Sequence, residues 1–330
     1  MTMRKHIEGF IGQLEDAFSI GEKVIFSIPD KKISNVLILG VGGSGIGGAI
    51  VAKNSLLEAS IPISICNDYN IPEYVNEETL VIACSYSGNT EETLIALKKC
   101  QSKGAEIAAV TSGGKLKRIC AENKYNHILI PGGNPPRTCL GYSLTEQLFI
   151  LVKYAILPES AIGDLKSAIE LLKSNNSDII KEAELVSKKL SGKLPIIYAT
   201  DRFEPVSIRF RQQLNENSKE LCWHQSFPEL NHNEIVGWAS GNSNLSVIMF
   251  RNKDDYYRTQ ERMEFTKKVI IERGSSVTEI ISKGDSFIEN SLYLIYLTDW
   301  ASLFVAEEKQ VDPVEIKVID ALKNHLATLK

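Results

Sequence analysis

Along the first half of the chain, short apolar runs alternate with stretches in which apolar residues recur every three to four positions. The runs at 36–39, 61–66, 80–84, 106–111 and 127–130 have the length and continuity of buried strands. The stretches at 47–58, 91–103 and 115–122 between them have helical spacing. Strand and helix alternating at this interval predict a parallel sheet covered by helices on both faces, an α/β architecture. Ahead of it, Ile7, Phe10, Ile11, Leu14 and Phe18 form one apolar face within 4–28. That face predicts a helix packed on the first domain or on a partner subunit, ended by Pro29, Lys31 and Lys32.

After Pro131 the pattern turns helical at 143–154 and again at 164–190, with Pro158 in the break. The second half then repeats the first in outline. A strand at 194–200 leads to a long helix, a strand at 245–250 precedes a charged helix, and 276–282 precedes Gly284, Asp285 and a further helix. Three such correspondences predict two copies of one fold. Residues 1–155 are read as an N-terminal helix plus the first domain, and 156–330 as linker helices plus the second, with the boundary between 155 and 190. The second copy lacks the hydroxyl-rich loop of the first, so only the first is expected to hold phosphate.

Composition narrows the class. At 330 residues, 43% hydrophobic and 24% charged, the chain has room for about two domains. A formal charge of -4 argues against a nucleic-acid partner. Cysteines 66, 84, 100, 120, 139 and 222 show no C-x-x-C spacing and read as reduced, mostly buried residues of a cytoplasmic protein. Glu8, Glu15 and Asp16 interrupt the N-terminal apolar positions, so no signal peptide is expected. Asp299 breaks the apolar stretch 292–306, so no membrane span is expected either.

The candidate chemistry begins at 80–94. There a strand runs into Ser85, Ser87 and Thr90, backbone N–H groups around Gly88, and a helix starting near Asn89. Neutral donors at the positive end of a helix suit a phosphate dianion, and an ordinary N-cap followed by Glu91 and Glu92 has the same composition. Upstream, Gly40, Gly42 and Gly45 fit G-x-G-x-x-G, with Asp68 after the next strand, which admits a dinucleotide. Two such loops on neighbouring strands favour a sugar phosphate, because a dinucleotide does not call for the three hydroxyls. Arg137 follows two prolines that stiffen its approach, so its guanidinium either reaches over a substrate oxygen or is solvated. Glu216 falls at the end of the helix begun near Glu204 or in the loop just after, among Gln212, Gln213, Asn215 and Asn217; it is a solvated carboxylate or the base of a polar pocket. His232 stands between Asn231 and Asn233, with His224 as a competing candidate. Cys222 and His224 lack two further ligands at recognisable spacing, so no metal is expected. Lys323 lies at the edge of a stripe formed by Ile316, Ile319, Leu322 and Leu326.

Gly42, Gly43, Ser44 and Gly45, taken with the run from Ser85 to Glu92, resemble the sugar isomerase (SIS) domain. The stretches 134–137, 214–219 and 228–234 extend the likeness over nearly the whole chain. Together they resemble the bifunctional phosphoglucose/phosphomannose isomerases of archaea and bacteria. The resemblance implies two SIS-type doubly wound subdomains, each a parallel sheet flanked by helices. It implies a metal-free, cofactor-free aldose–ketose isomerase interconverting glucose 6-phosphate and mannose 6-phosphate with fructose 6-phosphate through a cis-enediol. It also implies a cytoplasmic homodimer with shared active sites. On this likeness Gly43, Ser44, Ser85, Ser87 and Thr90 hold the phosphate, and Arg137 steadies the enediolate charge. Glu216 shuttles the proton between C1 and C2, His232 from the other subunit opens the sugar ring, and Lys323 is the functional lysine of the closing helix. One departure stands out: the family often has a threonine a little upstream of that lysine, and 312–316 offers none. Three other readings remain: a sugar-phosphate-binding module without turnover, an isomerase acting on one epimer only, and a nicotinamide enzyme using the 40–45 turn.

Overall fold

The computed structural model describes residues 1–329. Helices α1 (Met3–Glu8) and α2 (Phe10–Lys23) precede β1 (Asn35–Leu39), α3 (Gly42–Asn54), β2 (Ile63–Cys66), β3 (Thr79–Cys84), α4 (Glu91–Ser102), β4 (Glu106–Thr111), α5 (Gly114–Asn123), β5 (Asn126–Leu129) and α6 (Leu140–Lys153). The long α7 (Ser160–Leu190) leads to β6 (Leu194–Thr200), α8 (Glu204–Ser218), β7 (Trp223–Phe227), the single turn α9 (Glu234–Gly237), β8 (Leu245–Arg251), α10 (Tyr257–Glu272), β9 (Ser276–Ile281), α11 (Phe287–Glu308) and α12 (Lys317–Leu326). The chain divides into two compact units. The first comprises Glu8–Asn175 with Lys283–Tyr293; the second comprises Met1–Ile7, Asn176–Ser282 and the chain from Leu294 onward.

In the first unit five strands pair in parallel in the order β2-β1-β3-β4-β5. Ile38 of β1 faces Ile65 on one side and Ile82 on the other, so apolar rows align across the sheet. Every residue of β3 is buried, as a strand with helices on both faces requires. Leu37, Leu39, Val81, Ala83, Ile107 and Ala109 pack in one cluster with Ala96, Leu97 and Cys100 of α4 and Leu116 and Cys120 of α5. The buried residues of α4 recur at intervals of three and four, Thr93, Ala96, Leu97 and Cys100, which is why this segment is a helix lying on the sheet.

Two expectations change. Helix α3 begins at Gly42, ahead of the 47–58 anticipated, although glycine is a poor helix former. Packing overrides propensity here: a Cβ on Gly48 would lie 2.7 Å from Ile38 Cγ2, so the bare helix backbone sits directly on the strand. The N-terminal segment is two helices rather than one, and the chain is extended from Val24. Phe10 and Leu14 of its apolar face are buried, and Phe18 meets Phe149 edge-on.

The second unit carries four parallel strands in the order β7-β6-β8-β9. Ile196, Tyr198, Val247 and Met249 form its core with Phe227, Leu230, Trp238, Met263 and Ile270. Strand β7 was not anticipated. Its three middle residues are polar and only Ser226 and Phe227 of it are buried, so this edge strand carries no apolar run to announce it. Helix α12 forms over the apolar stripe 316–326, yet none of its residues is buried. Among the described residues, no helix is long and apolar enough to cross a membrane.

Candidate active site

In each sheet the first strand sends its crossover one way and the next pair of strands lies the other way, between β1 and β3 in the first unit. A doubly wound sheet opens a crevice outside the strand ends at such a switch. The loops leaving β1 and β3 therefore meet there. Helix α3 starts with Gly42, Gly43 and Ser44, with no acidic residue in its first turn and no side-chain cap at Val41. Its leading N–H groups face an anion-compatible end. Ser44 is buried, and its Oγ accepts from the Tyr86 N–H at 3.3 Å.

The loop after β3 is braced by its own hydroxyls. Ser85, 1% exposed, lies 2.8 Å from the Thr90 hydroxyl, and its Oγ also accepts from Thr90 N. Ser87 Oγ accepts from Asn89 N at 3.2 Å and is itself exposed. Gly88 sits at φ +66°, and a Cβ there would come within 1.8 Å of Gly113 O, so this turn closes only on glycine. Ser87 and Thr90 are thus the open hydroxyls of the set, with Ser85 holding Thr90 from behind.

The turn carrying Arg137 joins the same cluster. A Cβ on Gly43 would lie 2.9 Å from Pro136 O, so the start of α3 packs against the Pro136–Arg137 peptide. Thr138 N and Oγ1 donate to Pro135 O, and Gln13 Nε2 donates to Thr138 O at 2.8 Å. Arg137 is 4% exposed. Gly43, Ser44, Ser85, Ser87, Thr90 and Arg137 therefore share one end of one sheet.

The remaining candidates lie in the second unit. Helix α8 is anchored by buried polar contacts. Arg209 forks onto Asp299, with Nε to Oδ1 at 3.2 Å and Nη2 to Oδ2 at 2.8 Å, and Asn217 and Ser218 donate to Ser302 Oγ and O. Glu216 is half-buried in the last turn of this helix. Lys219, just beyond, donates through Nζ to the carbonyls of Glu216, Asp312 and Glu315, tying the end of α8 to the turn before α12. His232 is exposed at the end of the turn after β7. Its segment is latched at three points: Asn231 donates to Thr266, Asn233 donates to Glu229 while accepting from Glu234 N, and the Glu234 carboxylate takes both Tyr198 OH and Trp223 Nε1. Lys323 is exposed on α12.

Residues 32–157 match the SIS domain family, and 179–326 match the bacterial phospho-glucose isomerase C-terminal SIS domain. The chain is 38% identical over 328 residues to the bifunctional phosphoglucose/phosphomannose isomerase of Caldicellulosiruptor bescii, covering 96% of this chain and 97% of the relative. The chain belongs to the bifunctional phosphoglucose/phosphomannose isomerase family. It is accordingly an enzyme of the isomerase class. A D-glucosamine-6-phosphate 4-epimerase of Sulfolobus acidocaldarius is 29% identical, with 91% of each chain covered. Among solved structures, the C-terminal domain of glucosamine-fructose-6-phosphate aminotransferase from Francisella tularensis shares the fold, with a TM-score of 0.77 at 18% identity over 95% of this chain and 98% of that one.

For this family member the structure also sorts the lesser candidates. His224 Nδ1 stands 3.1 Å from Arg211 Nη1 and accepts from it, burial together with that guanidinium lowers the ring's pKa, and Nε2 lies 3.8 Å from the Glu204 carboxylate of the same helix. Among the described residues, no group of three or more His, Cys, Asp or Glu side chains is placed to hold a metal ion. Gly40, Gly43 and Gly45 pack closely on backbone, a Cβ on each falling 3.1, 2.9 and 2.6 Å from a main-chain atom, while a Cβ on Gly42 would meet nothing within 4 Å. Three residues near the candidates carried no role in the sequence reading: Tyr86, Lys219 and Glu234. Each lies inside a quoted motif, but its partner is distant in sequence, so spacing alone holds no signal for it.

Proposed function

We propose that this protein isomerises glucose 6-phosphate and mannose 6-phosphate to fructose 6-phosphate and back through a cis-enediol, by proton transfer alone. The observation that supports it most is family membership over nearly the full chain, in a molecule whose first unit gathers hydroxyl and backbone N–H donors at a sheet switch, with no acidic residue in the first turn of α3. In this reading the N–H groups of Gly43 and Ser44 and the hydroxyls of Ser87 and Thr90 bind the phosphate, with Ser85 orienting Thr90. His232, supplied by the partner in a homodimer, moves a proton from O1 to the ring oxygen as the sugar opens. The Glu216 carboxylate then takes the C2 proton of the aldose. The C–H electron pair becomes the C1–C2 double bond while O1 takes a proton from water, and the Arg137 guanidinium stabilises the charge that develops on the enediolate oxygens. Glu216 returns its proton to C1, the O2 proton passes back to water, and the ketose results. Lys323 assists at the same oxygens.

The test is a coupled assay in which each aldose 6-phosphate is supplied separately and fructose 6-phosphate is read out. Formation from both supports the reading. Formation from one only supports the single-epimer alternative, which the lack of a threonine at 312–316 favours. Binding of either sugar with no product would identify a sensor and overturn the proposal.

A further inference from the structure

We propose that Tyr86 is a positioning residue for Arg137, locking the arginine to the phosphate-side loops through its phenolic oxygen. The proposal rests on the function just described. Tyr86 makes a bond to each of three other loops at this end of the sheet. Its N–H donates to Ser44 Oγ at 3.3 Å in the first turn of α3, just after the loop that leaves β1. Its carbonyl accepts from Ser112 Oγ at 2.7 Å and Ser112 N at 3.0 Å in the loop after β4. Its hydroxyl oxygen accepts from Asn134 N at 3.0 Å in the loop after β5. The ring is 8% exposed, and with Gly43, Ser44, Pro136 and Cys139 it lines a small void of about 10 Å³ behind the loops. Burial, with the Cys139 thiol beside it, pushes the phenol up to about 12, so the hydroxyl stays protonated and keeps a lone pair for Asn134.

The mechanical consequence follows from the sequence between Asn134 and Arg137. Pro135 and Pro136 each fix φ, and a residue before proline is held extended. Four residues with so few soft dihedrals behave as a short stiff lever. One end is pinned by the Tyr86 hydroxyl; the other is pinned at Thr138 by Gln13. Release of the first pin lets Asn134 drift and swings the Arg137 backbone against Gly43, while the Ser44 contact, made by the Tyr86 backbone, persists. Loss of the hydroxyl therefore affects the end of the substrate where charge develops and spares the phosphate end. A guanidinium displaced by about 1 Å from a developing oxyanion costs on the order of a hundredfold in rate.

Tyr86→Phe removes the acceptor and keeps the ring. We expect kcat to fall about ten- to a hundredfold with KM changed less than about threefold. In an Arg137→Lys background the same change should cost less than about threefold more, because residues acting through one another are non-additive. Full additivity, or a KM that rises in step with the fall in kcat, overturns the proposal. An activity-free measurement accompanies it. In the unmodified protein the Asn134 amide should be protected from hydrogen exchange, and at least tenfold less so in Tyr86→Phe. Exchange at the rate of an open loop in the unmodified protein overturns the proposal whatever the enzyme turns over. Protection of Asn134 without turnover of any hexose 6-phosphate would instead retain the lock and reject the function on which its catalytic meaning rests.

Discussion

The loops after β3 and after β8 leave equivalent strands of two sheets wound the same way, and they satisfy their backbones by opposite means. After β3, hydroxyls cap the turn: Ser87 Oγ takes Asn89 N, and Ser85 Oγ takes Thr90 N. After β8, a carboxylate does so. Asp255 Oδ2 takes Asn252 N at 2.9 Å, with Oδ1 3.4 Å from Asn252 Nδ2. Burial raises the Asp255 pKa while its bonds to Asn252 oppose the shift. Arg251, at the end of β8, is engaged by Glu264 and Glu279. The two turns differ in which group takes the backbone N–H, while carboxylates stand near both: Glu91 and Glu92 open α4 just beyond the hydroxyl-capped turn. One fold thus carries a hydroxyl-capped turn in one copy and a carboxylate-capped turn in the other through a difference of a few side chains.

The proposed division of labour between the two units is broken most sharply at Glu216. Glu216→Gln should lower kcat by about a thousandfold, within the range that general acid–base groups contribute, while competitive inhibition by inorganic phosphate stays unchanged. Mixed under subunit exchange with His232→Ala, it should recover activity in up to about half of the sites of each heterodimer, by two-fold symmetry. A dead mixture with demonstrated exchange would place both residues in one chain's site.

Stability separates the units next. Arg209 and Asp299 form a buried pair with side chains 1% and 8% exposed. Arg209→Met strands the aspartate and should cost on the order of 3–5 kcal/mol in denaturant unfolding. Arg209→Met with Asp299→Leu should recover most of that loss. An unfolding free energy unchanged in the single variant would mean that α8 is held by its other contacts alone.

The cradle is tested by Ser87→Ala with Thr90→Ala. Each hydroxyl is worth roughly 1.5–3 kcal/mol when bonded to a charged group, so KM should rise about a hundredfold with kcat little altered. An unchanged KM would remove these hydroxyls from the phosphate site.

The smallest effect is expected at Glu146. Its side chain is fully buried in α6, neither oxygen has a hydrogen-bond partner, and burial followed by the nearby Asp16 raises its pKa to about 9. A carboxyl raised on folding binds a proton that the unfolded chain releases, so stability is highest below the unfolded value of about 4.3 and falls as pH climbs toward the folded value near 9. Glu146→Gln should flatten that slope and gain about 1–3 kcal/mol at alkaline pH. Melting curves from pH 5 to 9 that superpose for the two proteins would show that Glu146 is ionised when folded.

The sequence by itself determined the parallel α/β architecture and the repeat, because buried strands and amphipathic helices write their periods directly into the chain. It singled out the two loops that meet after β1 and β3 as well, since glycine and hydroxyl residues at a strand end are a local signal. What it could not read was whatever depends on a partner distant in sequence. Helix α3 begins within the glycines because Ile38 lies beneath Gly48, and β7 is a strand because β6 lies beside it. The roles of the hydroxyls divide as they do because Ser85 reaches Thr90 while Ser87 faces outward. Only the tertiary structure brought Tyr86 to Ser44, Ser112 and Asn134, three loops that are far apart along the chain and joined at one residue.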